Sequence, residues 1–303
     1  MQYSADDVAA ASSLQFLTYL CVSTATFWTY YYAWSLHEEW TFLLRSRWNK
    51  VKCLYIITRN VPFVIITLDL YLYFTPDNHS EKCLMLINIY SSFGFISVVC
   101  SESIFVLRTY ALWNNNKFVL VATVCTAITF VIASIDVAFT TIAASHVMTS
   151  AIPGITGCYR TSHGIQLSMP FLLLFVFELG LISLTLIRAM QNWRTVNGPL
   201  YTVLVKHNIF YYACGLFLAA VNVLMPMLFS QYAIHSVFEN LQFYVLAILA
   251  TRMHLHLWNV GQDLHIRGSD ALMLALMSDA PLHFSDAPVL TPIPDAPTAD
   301  QTV

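Results

Sequence analysis

"VVCSESIFVLRTYALW", Val98 to Trp113, is an apolar run with one carboxylate inside it, Glu102, and one cation near its end, Arg108. A helix needs about 20 such residues to cross the roughly 30 Å hydrocarbon layer of a membrane. The run continues toward the N-terminus over further apolar residues. It therefore predicts a membrane-spanning helix that carries an acidic group in its interior.

The composition of the whole chain agrees with a membrane location. Of 303 residues, 57% are hydrophobic and only 10% are charged, and the mean hydropathy is +0.62. A soluble domain has fewer apolar and more charged residues. The net charge of -3 gives no indication of a nucleic-acid partner, and the lipid bilayer is the expected environment.

Seven apolar runs are long enough to span a bilayer. The fold class is therefore predicted as an all-α, integral membrane seven-helix bundle, with an N-terminal segment 1–13, a bundle 14–260 and a tail 261–303. The predicted spans are Leu14–Trp34, Val51–Phe74, Cys83–Leu107, Phe118–Ala143, Leu167–Met190, Val205–Phe229 and Val237–Leu257.

The distribution of lysine and arginine predicts the orientation. Basic loops stay on the cytoplasmic side of a membrane. With the N-terminus outside, 11 basic residues lie at inner segments, against 2 at outer segments, Lys82 and Arg160, while Arg59 lies within a span. The prediction is an extracellular N-terminus and a cytoplasmic C-terminus, in the plasma membrane or another membrane of the secretory pathway.

Two cysteines and one asparagine are assigned to the outer side. Five cysteines lie within predicted spans, and the other two, Cys83 and Cys158, face the oxidising compartment, where disulfides form. We expect a disulfide between them, the alternative being two unpaired thiols at the interface. The sequon Asn78-His79-Ser80 is a weak candidate for glycosylation in an outer loop.

Two segments outside the spans differ in character. The segment from Ser35 to Lys50 mixes aromatic and charged residues, which fits either a short interfacial helical turn or a loop. The tail repeats Ser-Asp-Ala-Pro and has no basic residue after Arg267. This composition predicts disorder, with or without a role in binding a cytoplasmic signalling partner.

Glu102 needs a partner inside the membrane-spanning helix that carries it. It lies six residues before Arg108, roughly 9 Å inside the inner boundary, and Arg59 on the second span lies at about the same depth. An isolated charge in a span costs about 2.5 to 3.5 kcal/mol on insertion scales. We therefore predict an Arg59–Glu102 ion pair. The alternative is that Arg59 extends alone to the headgroups and that nearby serines bind Glu102.

Three further acids lie within the spans. Asp69 and Asp136 fall in the outer third of their helices, and Glu178 lies near the midplane, with no basic residue at its depth. Such groups are candidates for function, although each could equally serve as an interhelical hydrogen bond. With Asn222 they are predicted to form an outward-opening pocket for a small ligand.

Several function classes lack their required motifs. The chain has no H-E-x-x-H or G-x-S-x-G sequence, and His254 and His256 are two residues apart and so lie on different helix faces. We predict no catalytic residues, no metal site and no cofactor, and do not expect an enzyme. A retinal-binding protein of the usual kind needs a lysine in its last span, and the last predicted span has none. That span also lacks the Asn-Pro-x-x-Tyr sequence of G-protein-coupled receptors, so coupling to a G protein has no motif to support it.

Three stretches together resemble a known family. They are EEWTFLLRSRWNKVKCLYIITRN (38–60), ESIFVLRTYALW (102–113) and ATRMHLHL (250–257). The chain is similar to the basidiomycete fungal membrane proteins defined by a domain of unknown function, the DUF6533-type family. The resemblance implies a multi-pass fungal membrane protein and brings no established activity.

Three functions remain as hypotheses. The first is a receptor-like or sensory protein that binds a small ligand in the outer pocket. The second is a transporter or proton-coupled carrier that uses Glu178, although glycine and proline do not form the repeated pattern typical of transporters. The third is a non-catalytic membrane scaffold that acts through its tail.

Overall fold

The computed structural model describes residues 5–46, 48–74, 80–114, 116–144, 146–149, 158–161, 164–193, 199–228 and 232–277. The chain divides into two compact units, Met1–Trp258 and Asn259–Val303. The predicted glycosylation site Asn78 lies outside the described residues. Its glycosylation stays a prediction.

The described chain is helical apart from one short hairpin. The helices are α1 (Ala5–Arg45), α2 (Lys50–Phe74), α3 (Ser80–Leu112), α4 (Lys117–Ala144), α5 (Gly164–Trp193), α6 (Pro199–Leu228) and α7 (Tyr232–Met277). Between α4 and α5, strands β1 (His146–Thr149) and β2 (Cys158–Thr161) pair antiparallel, with His146 opposite Thr161. The all-helical class is confirmed, and the hairpin was not predicted.

Five helices in the described residues are long and apolar enough to cross a membrane. They are Lys50–Phe74, Glu81–Leu112, Lys117–Thr140, Ser168–Gln191 and Ile209–Leu228. These ranges correspond to the second through sixth predicted spans. An integral membrane protein with several spans follows from them. Helices α1 and α7 are not among the five.

The first helix extends further than predicted at both ends. It begins at Ala5, inside the segment expected to precede it, and it continues past Trp34 to Arg45 as one helix of 41 residues. The continuation is stable because Ser35, Glu39 and Phe42, which share one helix face, are all buried. The segment after Trp34 is therefore helical, as in the first of the two alternatives, but up to Arg45 it is part of α1 and not a separate interfacial turn or a loop.

The end of α1 is capped by the next helix. The ammonium group of Lys52 donates to the carbonyl oxygens of Leu43 and Ser46 at 2.6 and 2.8 Å. The last carbonyls of a helix have no partner within the helix, and a cation favours the negative end of its dipole. Lys52 thus fixes the turn between α1 and α2.

The last helix also exceeds its predicted length. The tail was predicted to be disordered from Gly261, but α7 continues to Met277. The sequence ALMLALM before this end consists of strong helix formers, which accounts for the difference. Residues 278–303 lie outside the described part of the chain, so disorder there stays a prediction.

Helix α7 joins two apolar cores. In the first, Leu246, Leu249, Ala250 and Met253 of α7 pack with buried residues of α3, α5 and α6. In the second, Phe243, Tyr244 and Ala247 pack with Trp28 of α1 and three residues of α2. Helix α4 instead exposes large apolar side chains along its length, as expected of a face in contact with lipid. These exposed residues are Phe118, Val121, Val124, Ile128, Ile132, Ile135 and Phe139.

Candidate functional site

Two carboxyl groups face each other inside the first core. Glu102 of α3 is 7% exposed and Glu178 of α5 is 1% exposed, and their side chains are within hydrogen-bonding reach of each other. Among the described residues, no other group donates a hydrogen bond to any of their four oxygens. The structure therefore brings together two acids that the sequence assigned to different roles.

A glycine of α6 makes room for this pair. A Cβ atom placed on Gly215 would lie 2.8 Å from Oε1 of Glu178 and 3.2 Å from Cδ2 of Leu246. A Cβ atom essentially never lies within 3.0 Å of such an atom, and 3.2 Å is also tighter than most Cβ contacts. The carboxyl group of Glu178 thus lies directly against the backbone of α6, in space that a larger residue would occupy.

The surroundings of the pair are mostly apolar. Buried residues Ile104, Phe105, Phe177, Leu181 and Leu246 belong to the same core cluster. Toward the C-terminal end of α3, the hydroxyl of Tyr212 makes polar contacts with that helix. That hydroxyl donates to the carbonyl oxygen of Phe105 at 3.0 Å and shares a 3.0 Å hydrogen bond with Thr109.

The chemistry of the pair follows from this geometry. An ionised carboxylate can only accept hydrogen bonds, whereas a protonated one has an O–H that donates. A hydrogen bond between Glu102 and Glu178 therefore requires at least one proton. Two negative charges in contact within an apolar core, without a cation between them, would repel strongly.

Asn222 lies farther along α6 from the pair and binds α7. Its side-chain nitrogen donates to Oε1 of Gln242 at 2.6 Å and to the carbonyl oxygen of Phe238 at 3.1 Å. Oδ1 of Asn222 and Nε2 of Gln242 have no partner among the described residues. Leu246 approaches Gly215 beside Glu178, and Gln242 precedes Leu246 by one helical turn, about 6 Å along α7. The amide pair therefore lies about one turn from the carboxyl pair.

Asp69 has a separate set of neighbours. It is buried on α2 and accepts a hydrogen bond from Nδ2 of Asn240 at 3.2 Å, while the Tyr90 hydroxyl donates to the side-chain oxygen of Asn240. Asn240 therefore links α2 and α3 to α7. Sequence reasoning did not single out Asn240 or Gln242.

The predicted pocket of four polar residues is not assembled. Asp69 contacts Asn240, Glu178 contacts Glu102, and Asn222 contacts Gln242, whereas Asp136 is exposed on α4. Depth along a helix was used to group these residues, but depth does not give the direction in which a side chain projects. Their predicted convergence is wrong, and a ligand-binding role for any of them stays a prediction.

The predicted Arg59–Glu102 ion pair is also wrong. Arg59 instead binds Glu39 of α1 through two contacts, Nη2–Oε1 at 2.8 Å and Nε–Oε2 at 2.9 Å, and it donates to Ser35. Both charged side chains are nearly fully buried. Sequence reasoning placed Glu39 outside the first helix, and the continuation of α1 brings it opposite Arg59.

Aromatic rings of α1 surround this ion pair. The guanidinium of Arg59 lies 4.7 Å from the ring centre of Tyr32, 4.8 Å from that of Tyr31 and 5.5 Å from that of Trp28. Arginine is attracted to aromatic faces at such distances. The cation is thus stabilised by one carboxylate and three rings in a single helical hairpin.

A second arginine connects the hairpin to α7. Nε of Arg252 donates to the Tyr31 hydroxyl at 2.9 Å, and its Nη1 lies 3.1 Å from Oε2 of Glu38. Tyr31 therefore lies between two arginines. This contact is more exposed than the Arg59–Glu39 pair, so solvent or headgroups screen it more.

Two further predicted residues have defined surroundings. Arg108, near the end of α3, hydrogen-bonds Nδ1 of His254 on α7. Five described cysteines carry free thiols, and Cys83 is not one of them. The side chain of Cys158 lies outside the described residues, so the Cys83–Cys158 pairing stays a prediction.

Comparison with known proteins finds a family match, in the helical hairpin formed by α1 and α2. No curated protein matches the chain. A family model described as a family of unknown function (DUF6533) matches residues 19–64, which run from the middle of α1 to the middle of α2 and include both Glu39 and Arg59. Residues 19–64 therefore match the DUF6533 domain, which confirms the predicted domain of unknown function. The basidiomycete fungal origin stays a prediction.

Proposed function

We propose that the protein is a receptor-like, sensory membrane protein with seven spans, a non-cytoplasmic N-terminus and a cytoplasmic C-terminus. Helices α1 and α7 share a buried core with α2, and α2 is itself apolar enough to span a membrane. This packing supports counting α1 and α7 as spans. The excess of basic residues at one end of the bundle supports the orientation.

The contact between Glu102 and Glu178 carries the sensory proposal. It lies where α3, α5, α6 and α7 meet, and no described residue supplies a positive charge that pairs with it. A change in the charge of this site alters the repulsion between α3 and α5. Such a local change can shift a bundle between two packing arrangements.

The other hypotheses have less support from the geometry. A scaffold would not need buried acids without a counter-charge, since these are costly in a membrane. A proton-coupled carrier would use the same acids and would in addition move a solute. A measurement of solute flux therefore separates a carrier from a sensor.

The test uses the full chain in lipid nanodiscs and in proteoliposomes. We expect Glu178→Gln to change the distance between spin labels at the N-terminal ends of α4 and α6, because it removes the titratable charge between α3 and α5. Asp136→Asn, which alters an exposed acid on α4, is the matched control and should leave the distance unchanged. Solute-driven proton flux that Glu178→Gln abolishes would instead support the carrier.

The orientation is tested separately. A protease site placed after residue 277 should be cut only after cells are permeabilised. Cleavage on intact cells would reverse the assignment of inner and outer ends. The proposed Cys83–Cys158 disulfide belongs to the same account, because β1, whose partner strand begins at Cys158, packs against α3. Mass mapping of non-reduced peptides tests it.

A further inference from the structure

We propose that Glu102 and Glu178 form a proton-binding site, in which one exchangeable proton is shared by the two carboxyl groups and arrives through water bound near Gln242 and Asn222. The proposal deepens the proposed sensory function, since it names the ligand of the same site. It rests on the burial of both acids, on the absence of a hydrogen-bond partner for their oxygens among the described residues, and on the close approach of Gly215 to Glu178; these observations are independent of whether the protein signals.

The first step is the contact itself. Both side chains are more than nine-tenths buried, they lie within hydrogen-bonding reach, and no other described group donates to their oxygens. Each deprotonated oxygen buried without a donor carries a desolvation penalty. A proton held between the two carboxyl groups supplies the missing donor and removes one charge.

The second step is the choice of a proton over a metal ion. Calcium takes six to eight oxygen ligands, and magnesium requires near-octahedral geometry with several waters. The pair offers four carboxylate oxygens enclosed by apolar side chains. Among the described residues, no group of three histidine, cysteine or acidic side chains could hold a metal ion. A proton needs only the two acids.

The third step concerns the other charged and titratable groups around the pair. Tyr212 of α6 interacts electrostatically with Glu102. Its hydroxyl is already hydrogen-bonded to the carbonyl oxygen of Phe105 and to Thr109. Arg108 of α3 interacts electrostatically with Tyr212 and hydrogen-bonds His254 of α7. The buried Thr185 of α5 also hydrogen-bonds Tyr212. No described cation neutralises the pair directly.

The fourth step is the route. Nε2 of Gln242, Oδ1 of Asn222 and Oγ of Ser97 are buried and have no partner among the described residues. Buried polar atoms of this kind are normally satisfied, often by internal water that makes two to four hydrogen bonds. Phe243, next to Gln242, lies against Gly94 of α3, one helical turn from Ser97. These groups thus lie on the side of the pair toward the N-terminal ends of α3 and α7.

The proton is tested by infrared spectroscopy of the full chain in nanodiscs. We expect the C=O stretching band of a protonated carboxylic acid, shifted in heavy water and by glutamate-selective carbon-13 labelling of the unmutated protein. Glu102→Gln and Glu178→Gln should each shift the band, because the remaining acid stays protonated in its buried site but loses its carboxyl partner, and the double variant should abolish it. The control variants Asp136→Asn and Asp69→Asn should retain the band unshifted. A glutamate band that is unshifted in both single variants, that survives in the double variant, or that does not respond to glutamate labelling would overturn the proposal.

The route is tested by replacing both amides. The double variant Gln242→Leu, Asn222→Leu should retain the acid band but slow its exchange into heavy water at least tenfold. Unchanged exchange in a folded double variant would refute the route. If sodium or calcium chloride removes the band at constant pH, the ligand is a cation rather than a proton. A confirmed band with no change in spin-label distances would reject the sensory function and leave the proton site standing.

Discussion

Arg59 of α2 and Glu39 of α1 form a buried, two-contact ion pair, with Nη2 2.8 Å from Oε1 and Nε 2.9 Å from Oε2. The pair lies within the segment that matches the DUF6533 family. Two parallel contacts of this kind fix the relative orientation of arginine and carboxylate. The ion pair therefore sets the register of the α1–α2 hairpin.

Loss of the Glu39 charge should destabilise the protein strongly. Glu39→Gln leaves the Arg59 cation buried without a counter-charge, which typically costs about 3 to 5 kcal/mol. We expect a clear fall in the midpoint of thermal unfolding in detergent. The matched control is Glu38→Gln, whose partner Arg252 is more exposed, and which should cost at most about 1 kcal/mol. Equal effects of the two variants would contradict the buried pair.

Gly215 should not tolerate a methyl group. Gly215→Ala places a carbon 2.8 Å from Glu178, and overpacking of this kind costs about 1 to 3 kcal/mol. Gly180→Ala on α5 is the control, because a Cβ there meets nothing within 4 Å. That variant should be neutral or slightly stabilising, since alanine favours a helix over glycine. The measurement is again thermal unfolding, and a neutral Gly215→Ala would contradict a fixed position of the Glu178 carboxyl group against α6.

Gly94 makes a second close approach, between α3 and α7. A Cβ at this position would lie 2.6 Å from the ring of Phe243. We expect Gly94→Ala to lower stability and the added change Phe243→Leu to restore part of the loss, because the smaller side chain leaves room. Fluorescence-detected size-exclusion after heating measures both. Additive losses in the double variant would argue against this contact.

The amide pair should depend on both of its members. Asn222→Leu leaves Gln242 buried without its hydrogen-bond donor, and an unsatisfied buried polar group costs about 1 to 3 kcal/mol. The double variant Asn222→Leu, Gln242→Leu removes both polar groups and should be more stable than Asn222→Leu alone. Stability that falls further in the double variant would show that the two side chains do not act as a pair.

The sequence allowed the helices to be predicted but not their side-chain partners. Five predicted spans match α2 to α6 because a membrane demands a certain length of apolar chain. The continuation of α1 beyond Trp34 was missed because Glu38, Glu39 and Trp40 resemble an interfacial segment, while the buried face that stabilises them exists only after folding.

In the candidate site, too, the side-chain partners could not be predicted from the sequence. The burial of Glu102 and Glu178 was predicted from their positions within apolar runs, and both are buried. Their contact was not predicted, because it depends on the rotation of α3 and α5 about their axes. The closeness of α6 at Gly215 also has no signal in the sequence beyond the glycine itself, since glycine in a membrane helix is common.

The most direct test of the contact between Glu102 and Glu178 is a double-mutant cycle in detergent, with Glu102→Ala, Glu178→Ala and both changes together. If the carboxyl groups touch, the free energy of unfolding of the double variant should differ from the sum of the single changes by at least about 0.5 kcal/mol. Single changes that add to within about 0.3 kcal/mol would show that the two acids are apart, and would remove the basis of the proton site.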